Sequence, residues 1–266
     1  MSDVNDQFYI SSNYSRIIAR ELALQERDLE RLLLGTGLAR DVLLPGDETR
    51  LSGPQQLRII QNARRISGAR ELGLRMGRQL QPSAHGPIGY LALSSPDLLT
   101  ALGALRDFLP LRIGFARLDL ELSGAWLCCE LTVTLDARPE DQRMLLECFA
   151  LLLQALVESI LGGEPAGACF EFEFDRPDYD NLYAGYFHSP ICFSQGRNRL
   201  LLPAELAYTP NAVSDPDAYA LARSLCQELL DTVPNHSLSM TDRVKRLLLS
   251  MPTGSTGEED VARALF

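Results

Sequence analysis

The sequence predicts an α+β protein: an N-terminal helical subdomain, then an antiparallel-rich mixed sheet with helices packed on it, then a linker and the first helices of a second unit. Three observations carry this. Upstream of His85 the apolar residues recur at helical spacing. From Leu118 onward two-residue alternation appears, at Leu118–Leu122, Leu127–Leu135 and Phe170–Phe174. Between those runs lies one long apolar segment, Pro139 to Leu161, too long for a strand. Strands interleaved with helices in this order suit an antiparallel-rich sheet with helices on one face.

The elements follow in chain order. Residues 1–12 read as polar and loose. Tyr14 to Leu34 reads as a helix with Ile17, Ile18, Leu22, Leu29, Leu32 and Leu33 inward, stopped by Gly35. A short helical piece covers Gly37 to Val42, and Asp47 to Gly53 is a loop. Ser52 caps a helix that opens at Pro54. Ala69 to Leu80 is a short helix broken by Gly77, which completes a helical part spanning 13–80.

His85 to Leu105 is the seam between the two regimes. A turn (Gly86, Pro87, Gly89) leads into a short apolar segment, Tyr90 to Leu93. A helix then starts with Ser95 as N-cap and Pro96 at its first position. Leu111–Leu122 and Trp126–Leu135 form a hairpin about Ser123 and Gly124. Pro139–Leu161, apolar nearly all round, is a buried helix ended by Gly162 and Gly163. Ala168–Phe174 is a strand and Tyr179–Phe187 a short helix. Ile191–Ser194 and Arg199–Leu202 read as a second hairpin, closing an α+β part over 86–210. The amphipathic helix 214–231 carries Ala218, Leu221, Leu225 and Leu229 on one face. Residues 1–232 are thus one unit, 233–238 a linker, and 239–266 the start of another, with short helices at Met240–Leu249 and from Glu258.

Composition narrows the function. Of the 266 residues 46% are hydrophobic, enough for a well-buried core. A formal net charge of −10 argues against this chain gripping a phosphate backbone by itself. The six cysteines show no CxxC spacing and are expected to be buried free thiols in a reducing cytosol. The three histidines lie far apart, so no metal is expected, and no cofactor motif occurs. No signal peptide precedes Tyr9 and no apolar run reaches membrane-spanning length, so the expectation is a soluble, cytoplasmic protein that needs no membrane. There is no GxSxG, P-loop or GxGxxG, and Asp175 and Asp178 flank a proline turn; no enzyme is expected.

Residues 239–266, SMTDRVKRLLLSMPTGSTGEEDVARALF, resemble the opening of an AraC/XylS-type DNA-binding domain. A first helix and a loop precede an acidic-VA-x-x-L pattern, here Glu258, Glu259, Val261, Ala262 and Leu265. The serine/arginine-rich recognition helix of that family does not follow, so the helix-turn-helix reads as severed. Three segments of the body, Leu72–Leu105, Phe187–Pro210 and Ser214–Tyr219, resemble the N-terminal "arabinose-binding-like" domain of one regulator subgroup. That subgroup includes ornithine-responsive and virulence or quorum-sensing regulators of pseudomonads, and the likeness spans roughly residues 15–230. The resemblance implies a ligand-sensing and dimerisation module of a bacterial transcription regulator. It implies a small-molecule effector, a homodimer, and DNA contact only through the full-length protein. It does not imply arabinose, and the helices and mixed strands differ from an all-β sugar-binding barrel.

By residue type and position near the sheet, the candidate ligand-binding residues are Tyr90, Phe115, Trp126, Tyr183, Tyr186, Phe187 and His188. Plain core packing is the alternative for each. Arg112 and Arg117, flanking Phe115, suit either a carboxylate ligand or a solvated strand edge. His85 closes a turn. The 214–231 helix suits either a dimer interface or packing on its own domain, and a ligand-independent oligomerisation module is the second functional reading.

Overall fold

The computed structural model describes residues 9–232. The expected linker and the helices of 239–266 lie outside the described residues.

Strand β1 (Tyr9–Ser11) pairs antiparallel with β2 (Arg50–Ser52), so residues 9–11 are not loose and 50–52 are not loop. The single helix expected over 14–34 is two, α1 (Asn13–Glu21) and α2 (Glu26–Leu33). Ala23 breaks them with φ +48°, a left-handed conformation no helix tolerates. A 3-10 turn covers Arg40–Leu43. Ser52 caps α3 (Gly53–Ser67) as expected, through a reciprocal box: Gln55 N donates to Ser52 Oγ and Ser52 N to Gln55 Oε1.

Gly77 does not break α4 (Leu72–Gln79). With Gly73 it forms the flat face that seats α4 on α7 (Pro139–Leu161), close enough for Cys148 Sγ to reach the Gly73 carbonyl at 3.4 Å. After a 3-10 turn at Pro82–His85, the segment expected as merely apolar is helix α5 (Pro87–Leu93). The N-cap of α6 (Leu98–Phe108) is Asp97, which accepts from Thr100 N at 2.8 Å. Ser95 lies too early for that role. Its hydroxyl bonds back to the Leu91 carbonyl at 2.9 Å and finishes α5 instead.

Strands β3 (Ala116–Ser123) and β4 (Trp126–Val133) make the expected hairpin. The second expected hairpin is absent. The five-stranded sheet runs β3-β4-β7-β5-β6, so β5 (Cys169–Glu171) separates β6 (Ile191–Cys192) from β7 (Arg199–Pro203). Phe170 pairs with Leu200 on one side and with Ile191, in parallel, on the other. A buried Phe170 thus fills the position that a β6–β7 hairpin would have closed.

Helix α7 covers the inner face of the sheet. Its length and composition would let it cross a membrane, contrary to the expectation that no run is long enough, but 78% of its most apolar stretch is buried inside the protein. Helices and sheet share one continuous core. Helix α8 (Pro216–Thr232) lies on α5 and buries Ala222, Cys226 and Leu230. Its other apolar face points outward: Leu221 is 73% and Leu225 43% exposed.

Candidate functional site

The seven sequence-predicted residues do not converge. Phe115 has no exposed surface and sits in the core. Trp126 is half exposed on the outer face of β4, opposite Ser123 and Pro203. Tyr183 and Phe187 are buried in an aromatic cluster with Phe170, Phe172 and Phe193. Tyr186 lies under the Arg78 guanidinium, 4.8 Å from its ring centre. His188 Nδ1 is 2.7 Å from Glu158 Oε1. Gln154 clamps this pair, donating to the Tyr186 carbonyl and accepting from His188 N. Tyr186 and His188 line a shallow cavity of about 440 Å³ at the C-terminal end of α7. Tyr90, 61% exposed, lines a different and larger one.

That larger cavity, about 620 Å³, lies between β1, the start of α5, residues 110–114 and the last turns of α8. Its size suits a small molecule. Backbone bonds from Ser11 N to the Arg112 carbonyl and from Gly114 N to the Tyr9 carbonyl hold β1 against one wall. Leu225 and Leu229 of α8 supply an apolar wall. Three arginines line the space, and they differ in what they have left to offer. Arg16 is committed to Ser12 Oγ and to the Val42 and Asp47 carbonyls. Arg50 is exposed. Arg112 is half-buried, and its Nε is buried with no hydrogen-bond partner. A buried donor left unmet costs about 1–3 kcal/mol.

Behind this cavity Tyr14 Oη and His85 Nδ1 are 2.7 Å apart, and the Arg112 guanidinium lies beside both. Burial, reinforced by the Arg112 charge, holds His85 down to about 4, so the ring is neutral in the cell's pH range. Burial pushes Tyr14 up to about 12. Tyr14 and His85 are therefore uncharged beside the guanidinium, while the lining itself carries two carboxylates, Asp47, which accepts from Thr49 N and Oγ1, and the exposed Glu48, against the three arginines.

Sequence reasoning missed Glu147. It sits with no exposed surface in a stretch of α7 that reads as apolar all round. Its Oε1 accepts from Tyr179 at 2.8 Å and Tyr183 at 2.5 Å, while Oε2 has no partner. Burial, opposed by the two hydroxyls and by Arg143 and Arg64, raises it to about 7. The cysteines also depart from expectation. Cys129, Cys148 and Cys226 are buried, but Cys128 and Cys169 are half-buried and Cys192 is exposed. Alternation explains this: Cys169 falls in the outward phase beside inward Phe170. Among the described residues no group of three or more His, Cys, Asp or Glu is placed to hold a metal ion.

The family described as the N-terminal arabinose-binding domain of AraC transcription regulators matches residues 27–211. The ornithine utilization regulator of Pseudomonas aeruginosa is 28% identical over 236 residues, which cover 88% of this chain and 68% of that protein. The crystal structure of the transcriptional regulator CdpR from Pseudomonas aeruginosa shares the fold, with a TM-score of 0.55 at 18% identity over 90% of this chain and 74% of that one. These relatives are transcription regulators, and the chain is not an enzyme. With residues 27–211, well over half its length, matched, the chain belongs to the AraC transcription regulators and carries their N-terminal arabinose-binding-type domain.

Proposed function

We propose that residues 9–232 are the sensor of a cytoplasmic transcription regulator, and that the 620 Å³ cavity takes a small anionic effector with an apolar body. The unmet Arg112 Nε carries this reading. The anion satisfies Arg112, and the apolar part lies against Leu225 and Leu229. Those two residues belong to the helix that leads toward residues 233–266, so occupancy biases how the DNA-binding part is presented in the full-length protein. One relative is named for ornithine utilization, which puts amino acids among the first carboxylates to test.

A thermal-shift screen across amino acids, fatty acids, amines and sugars tests this. A true effector at about 100 times its dissociation constant adds about 2.7 kcal/mol to stability. Arg112→Met, compared with and without ligand, should lose that increment, whereas Arg117→Met should keep it. Silence from every carboxylate, or an increment untouched by Arg112→Met, sinks the assignment.

The second reading, oligomerisation, rests on the outward face of α8. Ala218, Leu221 and Leu225 form a stripe that the domain itself leaves uncovered. We infer that a second copy covers it, giving a homodimer. Because Leu225 belongs to both stripe and cavity, effector binding and dimerisation are linked, each altering the other by the same factor. Leu221→Glu should give a folded monomer in sedimentation, since Leu221 supports nothing inside its own domain. A variant that stays dimeric would move the interface elsewhere.

A further inference from the structure

On the outer face of the sheet, Cys169 Sγ of β5 and Cys192 Sγ of β6 are 3.8 Å apart. The register explains the meeting. Glu171 pairs with Cys192 in parallel, and Cys169, two residues earlier, shares its face. Cys192 is exposed on a two-residue edge strand that has β5 as its neighbour. The other half-buried thiol, Cys128, lies two strands away, across Leu201 of β7.

We propose that Cys169 and Cys192 form a dithiol modification site that small hydroperoxides oxidise to an intramolecular disulfide. The exposed Cys192 sulfur, as thiolate, attacks the terminal peroxide oxygen. The O–O bond breaks, the alkoxide or hydroxide leaves with a proton, and Cys192 becomes a sulfenic acid. Cys169 then attacks the Cys192 sulfur. The S–O bond breaks, water leaves, and the S–S bond forms. Overall two thiols lose two electrons and two protons, and the hydroperoxide becomes an alcohol, or water, plus water. The sulfurs close from 3.8 Å to about 2.05 Å, a movement the short edge strand can make. Burial, and then the neighbouring Cys192 sulfur, raise Cys169 above the usual thiol range, which keeps it as the resolving thiol. The consequence reaches the core. Phe193, next to Cys192, stacks on Phe172 and meets Tyr183 edge-on, and Tyr183 holds Glu147.

The test is hydrogen peroxide added to the full 266-residue chain, followed by thiol titration and peptide mapping under non-reducing conditions. Expected is the loss of two titratable thiols, a single Cys169–Cys192 cross-link, and full recovery with dithiothreitol. Cys169→Ser should leave a sulfenic acid at Cys192 that dimedone traps, and Cys192→Ser should leave Cys169 unmodified at the same dose. Three outcomes overturn the proposal: Cys192 driven to the sulfinic acid without a cross-link, a cross-link between chains or to Cys128, or both thiols unreacted at a dose that fully oxidises glutathione.

Discussion

Glu147→Gln is expected to be more stable than the parent chain above pH 7, by about 3 kcal/mol, and nearly equal to it below pH 4.5. The carboxyl titrates at about 7 in the fold against 4.5 unfolded, so the folded state binds the proton more tightly. The stability it contributes is complete below pH 4.5 and disappears as the pH rises to about 7. Glutamine removes that loss and keeps an oxygen for Tyr179 and Tyr183. Its amide nitrogen takes the position of Oε2, the atom that has no partner now.

His85 runs the other way. It titrates at about 4 in the fold against 6.5 unfolded, so its contribution is complete above pH 6.5 and is lost as the pH falls to about 4. That loss also amounts to about 3 kcal/mol. In the parent chain the two groups offset each other across the same window. Glu147→Gln exposes the histidine's share, and the variant should weaken more steeply on acidification than the parent does. Denaturant midpoints across a pH series decide it. Parallel curves for the two proteins would mean that Glu147 is solvated, not sealed between α4, α7 and the turn at Asp180–Gly185.

What could be read from the chain was local. The Ser52 box and the β3–β4 hairpin depend on residues a few positions apart, and both are there. Pairing of β6 and β7 depended on where Phe170 went, and no nearby residue records that. Periodicity located the apolar face of α8 but not its direction: Ala222, Cys226 and Leu230 take the inner side, because small and sulfur side chains let α8 sit close on α5. Arg112 could be read either as a carboxylate partner or as part of a solvated strand edge. Its cavity was not, since the walls come from segments as far apart as Tyr9 and Leu229. Glu147 was hidden because one acid in a long apolar run does not disturb the run's average.

Gly73→Ala is expected to destabilise the protein by about 3 kcal/mol or more, beyond the ordinary cost of overpacking, because the clash is with backbone. A Cβ at Gly73 would come to 2.9 Å from both the Met144 Cα and carbonyl oxygen and would overlap Glu147 Oε2. Neither α4 nor α7 can yield alone: Gly77 stands one turn on, where a Cβ would meet Leu151 Cβ at 2.9 Å and Cys148 Cα at 3.1 Å. The control is Gly103→Ala on α6, where the new methyl meets nothing within 4 Å and better helix propensity should add up to about 1 kcal/mol. A double-mutant cycle separates the two clashes. In a Glu147→Ala background Gly73→Ala should cost measurably less, since the carboxyl has gone, yet still more than Gly103→Ala, since Met144 remains. Equal mild effects at Gly73 and Gly103 would show that α4 is not seated on α7. The sealed environment assigned to Glu147, and with it the opposed titration against His85, would then fail together.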